Sequence, residues 1–255
     1  MNRHCKSYGV MALLAFFLLS ASCAWAGDAG FVKMADRARE CGVSSGMIGQ
    51  IESFTAEGSL SDAEAVSLLL PLVAACADNF PLASFEDKLA EGFAKQVGPF
   101  SIVRALDRKL DEFRFARDML QDSGGGVAQQ ALVVLGEGLS KGVPRQDFKT
   151  YVSMYGDHAP ELFLTGLEMM SLLSQAGFDF RLTRSMLDVG FAGKGLSPEW
   201  RYFVRIVLVA RQRGLTDDAI AEAAGTVLED SGSLADVAVH LGFTSRDLSG
   251  RGLSN

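Results

Sequence analysis

The stretch EGFAKQV at Glu91–Val97 returns as EGLSKGV at Glu137–Val143, and a looser echo, VGFAGKGL, spans Val189–Leu196. Lys95, Lys141 and Lys194 sit where a last helical turn would place a cation against the negative end of the helix dipole. Gln96, Gly142 and Gly195 follow at the helix-ending position. Val97, Val143 and Leu196 then supply an apolar corner, and a new helix starts directly after. Gly92, Gly138 and Gly190 fall inside the preceding helix, where a missing side chain costs about 1 kcal/mol against alanine. Close approach of a second helix is the usual compensation. The repeated word therefore reads as a helix–corner–helix junction.

Working outward, the same punctuation recurs along the chain. Glycine, an apolar residue and then Ser, Thr, Asp or Pro occur together at Gly42-Val43-Ser44, Gly142-Val143-Pro144, Gly177-Phe178-Asp179, Gly195-Leu196-Ser197, Gly214-Leu215-Thr216 and Gly242-Phe243-Thr244. Glycine takes the left-handed conformation that ends a helix, and the apolar residue packs back. The third residue caps or opens the next helix. Ser61-Asp62-Ala63-Glu64 adds a capping-box start. Between these corners apolar residues recur at three and four, as in Ile102, Leu106, Leu110, Phe113 and in Phe203, Ile206, Val207. The expectation is an all-α array of about eleven or twelve short helices, an α-solenoid or layered helical bundle.

The array also repeats on a longer scale. Setting Gly42-Val43 over Gly142-Val143 brings Leu72 over Leu172, Phe80 over Phe180 and Leu82 over Leu182. A two-residue slip then sets Gly92-Phe93-Ala94 over Gly190-Phe191-Ala192. This predicts one helical domain over 27–244 with related halves at about 42–121 and 142–213, joined through Ser123–Gly126 and a bridging helix, and a flexible tail at 245–255.

Arg3 and Lys6 precede an uncharged apolar run at Val10–Ala21, and Ala24-Trp25-Ala26 supplies small residues at the positions a signal peptidase reads. A signal peptide over 1–26, cleaved after Ala26, is the expectation, with a periplasmic or secreted location in a bacterial envelope. Ala21-Ser22-Cys23 resembles the end of a bacterial lipobox, which would imply a lipid anchor at Cys23. Ser20, however, stands where that motif carries an aliphatic residue. Val10–Ala21 is shorter than the ~20 residues that span a bilayer. Ala65–Ala77 reads as a buried helix, so no transmembrane segment is expected in the mature chain.

The net charge of −7 grows more negative once Arg3 and Lys6 are removed, which opposes nucleic acid and anionic membrane as partners. Cys41 and Cys76 would remain; they either bridge in an oxidising compartment or stay as small buried hydrophobes. His158 and His240 stand at no metal-ligand spacing, and no cofactor or metal motif is present. Asp157-His158 reads as a helix cap.

Gly138-Leu139-Ser140-Lys141-Gly142 fits G-x-S-x-G, but it repeats a helical corner where a nucleophile elbow needs a strand. Ile51-Glu52-Ser53-Phe54 resembles the Glu-Ser core of the catalytic helix of lytic transglycosylases. That resemblance implies Glu52 as a general acid acting on murein. It covers four residues, and the family's downstream Gly-Leu-Met-Gln segment and its later Asn-Pro and Tyr region have no counterpart here. Ser233–Asp247 resembles the helix-turn-helix of AraC-type regulators; export and acidity oppose a DNA role, leaving a terminal helical cap.

The leading expectation is a non-catalytic scaffold that binds another envelope protein or peptide through a helical-repeat surface; the alternative is a murein-active enzyme using Glu52. Phe178, Phe180, Trp200, Tyr202 and Phe203 form the densest aromatic group. Trp200 and Tyr202, having polar tips, are the expected exposed anchors.

Overall fold

The computed structural model describes residues 25–122, 129–193 and 195–243, with side chains from residue 30 onward. Most of the signal segment, Cys23, the Ser123–Gly126 link, Lys194 and the tail at 245–255 lie outside the described residues. Twelve α-helices and one 3₁₀ turn account for the described chain, without a strand. The helices are α1 (Trp25–Glu40), α2 (Ser45–Ala56), α3 (Asp62–Ala77), α4 (Leu82–Ala94), α5 (Pro99–Asp122) and α6 (Gln129–Ser140). They continue as α7 (Arg145–Tyr155), α8 (Pro160–Gln175), α9 (Phe180–Gly193), the 3₁₀ turn (Pro198–Tyr202), α10 (Phe203–Gln212), α11 (Asp217–Glu229) and α12 (Leu234–His240). None of them is long and apolar enough to cross a membrane.

The repeated word has the expected conformation in its first two copies. Gln96 (φ 54°) and Gly142 (φ 94°) are left-handed. The Val97 and Val143 N–H groups donate to the Gly92 and Gly138 carbonyls, both at 3.0 Å, which closes the six-residue Schellman ring. The same closure follows α1, where Gly42 is left-handed (φ 90°) and Val43 donates to Ala38. The third copy differs. A Cβ on Gly195 would lie 2.3 Å from the Leu228 carbonyl oxygen. Its glycine is required by a close approach of backbone to backbone.

Capping follows the sequence elsewhere. Ser61 and Glu64 form the reciprocal box at α3, with the Ser61 N–H donating to Glu64 at 2.9 Å. Ser233 and Asp236 repeat it at α12. The Asp157-His158 cap is corrected: α8 opens on Pro160 behind Ala159, with no side-chain cap. Proline supplies the first-turn conformation without needing its N–H bonded. The His158 ring instead packs 4.5 Å from Phe191.

By packing, the chain divides into two units, with the boundary at Leu110/Asp111 inside α5. In the first unit α1 and α4 lie against α3, and α2 contacts both α1 and α3. Ile48, Ile51, Leu68, Leu69, Leu72, Phe85 and Leu89 form its core. A disulfide joins Cys41, just past α1, to Cys76 in the last turn of α3, with the Cα atoms 5.8 Å apart. In the second unit α6, α9, α10 and the 3₁₀ turn pack on α8, while α11 covers α9. Phe113, Phe148, Leu167, Met170, Leu187, Phe203 and Val207 fill its core. Two phenols are tied into this core: Tyr151 donates to the Phe163 carbonyl and Tyr155 to the Asp188 carboxylate, both at 2.6 Å. Burial pushes both hydroxyls well above the usual tyrosine range.

Helix order also fixes the internal register. α3 and α8 are both 16 residues long, and α4 and α9 follow them after the same interval. The two-residue slip falls earlier than the sequence alignment put it. It arises because α2 has 12 residues against 11 in α7, and the next linker has one residue more at 57–61 than at 156–159. Leu72, fully buried, therefore matches the fully buried Met170 and not Leu172, which is 37% exposed. Phe80 likewise matches Phe178, and Leu82 matches Phe180.

Candidate functional site

The 3₁₀ turn and α10 run alongside α8 and are clamped to it at both ends. At one end Arg201 pairs with Glu168 at 3.5 Å. At the other, the Arg211 guanidinium donates to the Ala176 and Gly177 carbonyls at the end of α8. Arg211 also grips Asp217 through two parallel hydrogen bonds of 2.8 and 2.7 Å, which hold its guanidinium charged and oriented. Between these clamps, Leu172 on α8 and Leu208 on α10 both face solvent.

The aromatic group divides here. Phe203, Ile206, Val207 and Ala210 form the buried stripe of α10, and the complementary stripe is Tyr202, Arg205 and Leu208. Tyr202 stays 42% exposed, with the Arg201 and Arg205 guanidinium carbons 5.0 and 4.8 Å from its ring centroid. Each such contact contributes roughly 0.5–1 kcal/mol at an exposed site and restricts the ring. Trp200 is corrected: it is completely buried, 5.7 Å from the Phe203 ring. The 3₁₀ turn directs position 200 inward against α8, where the indole's apolar area outweighs its one polar atom. Phe178 is also buried, and Phe180 is half-buried.

Glu52 has a different setting from the one a sugar-cleaving acid needs. It lies on α2 with its side chain 45% exposed and its carboxylate ion-paired to Arg39 of α1. A general acid is made by enclosure in a cleft that disfavours the charged form; a solvent-open partner of an arginine lacks that enclosure. Ser140 is equally occupied, since its hydroxyl donates back to the Gly136 carbonyl at 2.7 Å inside the last turn of α6. Among the described residues no group of three or more His, Cys, Asp or Glu is arranged to hold a metal.

The second unit also has a groove of about 480 Å³ between α7 and the later part of α5. Met119 and Val152 form its floor, and Asp118, Asp122 and Asp157 stand at its rim. Phe115 at its edge lies under Arg145 (4.5 Å) and Lys149 (5.4 Å). No sequence motif marks this groove, because its residues come from helices whose pairing is set only by tertiary packing. The chain matches no protein family, no curated protein and no solved structure.

Proposed function

We propose that the protein is an exported, non-catalytic scaffold that binds another envelope protein or peptide through the α8/α10 surface centred on Tyr202. The observation that carries this reading is the division of the aromatic group: Trp200 and Phe203 are buried, while Tyr202 stands outside between two guanidinium groups. Tyrosine and arginine are the residues that most often anchor interfaces, and a ring already held in place loses little freedom on binding. Exposed Leu172 and Leu208 add apolar area beside it. The basic start, apolar run and Ala24-Trp25-Ala26 support export through a signal peptide over 1–26, and the acidic balance favours a protein partner over nucleic acid. The shared helix order of α2–α4 and α7–α9 supports descent of the two halves from one repeated unit.

The test is quantitative capture from an envelope extract of the source organism, using wild-type chain beside Tyr202→Ala and Glu52→Gln. A near-stoichiometric partner retained by Glu52→Gln and lost with Tyr202→Ala supports the reading. Capture unaffected by Tyr202→Ala rejects this surface. Cleavage of purified murein that is abolished in Glu52→Gln would replace the scaffold reading with the enzymatic one.

A further inference from the structure

We propose that the occupant of the Tyr202 surface is an acidic peptide segment of the partner. Its carboxylate pairs with Arg205, and an apolar side chain one turn away packs on Leu172 and Leu208. The assignment rests on that surface being the binding site.

The charge of this region runs against the rest of the chain. Between Trp200 and Thr216 stand four arginines and no Asp or Glu, in a sequence whose net charge is −7. Three of the four are engaged. Arg201 pairs with Glu168, Arg211 pairs with Asp217, and Arg213 lies 4.7 Å from the Phe243 ring centroid. Arg205 is exposed and touches the Tyr202 ring, and it has no carboxylate partner among the described residues. The acids nearby do not reach it. Glu199 accepts the Leu234 N–H at the start of α12, at 3.1 Å. The clamps through Glu168 and Ala176 set α8 and α10 side by side in the same direction, so Arg205 stands level with the part of α8 beyond Glu168. From Met169 to Phe178 that part has no acidic residue, and it exposes Leu172.

An arginine offers N–H donors and no acceptor, and its planar fork matches a carboxylate through two parallel hydrogen bonds. The Tyr202 ring, 4.8 Å from the Arg205 guanidinium carbon, restricts that side chain before a ligand arrives. Leu208 is three residues on, about 4.5 Å further along the helix axis. A segment with Asp or Glu one turn from an aliphatic or aromatic residue meets both. The negative charge of the whole chain opposes this pairing only weakly, because exposed charges beyond about 8–10 Å are screened at physiological salt. An anionic bilayer fits less well. It is held by clusters of basic residues, and here Arg201 and Arg211 are already neutralised.

The test is selection from a displayed library of random short peptides on the exported chain. Enriched peptides are then titrated by fluorescence anisotropy with wild-type, Tyr202→Ala, Arg205→Glu and Arg205→Gln chains. The expected peptides place Asp or Glu one turn from an aliphatic or aromatic residue. They should bind both Arg205 variants at least about tenfold more weakly than wild type. Exchanging the peptide's acid for lysine should weaken binding to wild type and restore it to Arg205→Glu. Peptides that need Tyr202 but carry no acid, or that bind the Arg205 variants as well as wild type, would overturn the acidic assignment and leave the surface standing. Peptides indifferent to Tyr202→Ala as well, or no enriched peptide, would overturn both. Phosphatidylglycerol vesicles that capture wild type and lose Arg205→Gln would overturn the assignment in favour of a membrane.

Discussion

Gly138 faces the Phe148 ring so closely that a Cβ would lie 2.6 Å from Phe148 Cζ and 2.6 Å from Ser171 Oγ. The first copy of the junction has the same relationship, with a Cβ at Gly92 falling 2.7 Å from Ile102 Cγ1. Each glycine is the second residue of the repeated word, and each partner lies in the helix after the corner, at the same distance along the chain. The junction is therefore a packing unit as well as a turn: the helix ends, the valine closes the ring, and the next helix lays a large side chain across the glycine.

Gly138→Ala should destabilise the chain by roughly 1–3 kcal/mol, because Phe148 and Ser171 are buried and cannot withdraw. Gly49→Ala in α2, where nothing lies within 4 Å, should instead stabilise by about 1 kcal/mol through helix propensity alone. Denaturant unfolding of both variants checks the contrast, and equal effects would mean that the close approach has no energetic weight.

Gln96 occupies the left-handed position that Gly142 fills in the second copy. A side chain there costs roughly 1 kcal/mol, so Gln96→Gly should raise stability by about that amount. Gly142→Ala should lower it by a similar amount. Thermal unfolding measured with both variants tests the sign of each.

Glu91 begins the repeated word, and its carboxylate accepts hydrogen bonds from Lys88 and Lys95, which hold its pKa down at about 2. The folded value lies below the ordinary carboxylate value of about 4.3. The pair's contribution is therefore complete above that value and is lost as pH falls towards 2. A carbon-detected NMR titration should find the depressed midpoint, and Lys95→Met should move it upward. A midpoint already in the ordinary range in the wild-type chain would refute the pairing.

Trp200 and Tyr202 are two residues apart and should respond in opposite ways. Trp200→Ala empties a fully buried site and should cost about 3–5 kcal/mol. Tyr202→Ala removes a half-exposed ring and should change stability by less than about 1 kcal/mol. Paired unfolding curves decide this, and a large loss from Tyr202→Ala would make that ring structural.

The corners were legible because glycine is the residue that enters the left-handed region without strain, and five of the six sequence triplets do so. Asn79, Gln96 and Ser231 make the same turn without glycine; two of them carry no sequence mark of it, and Gln96 is read only through its repeat. Gly195 has the same pattern and a further constraint that no triplet shows, a carbonyl brought near by tertiary packing. The polar tip of Trp200 was a poor guide to exposure, since its place is set by which face the 3₁₀ turn presents to α8. The spacing Tyr202, Arg205, Leu208, offset from the buried stripe of α10, was the readable sign of the surface; the clamps through Glu168 and Ala176 were not, because they join separate helices.

The most direct measurement is photo-crosslinking in cells of the source organism, with a benzophenone amino acid at position 202 and, as a control, at exposed Glu57 in the other unit. One discrete adduct is expected from position 202 and none of that size from position 57. No adduct at 202, or the same adduct from both positions, would contradict a binding surface centred on Tyr202.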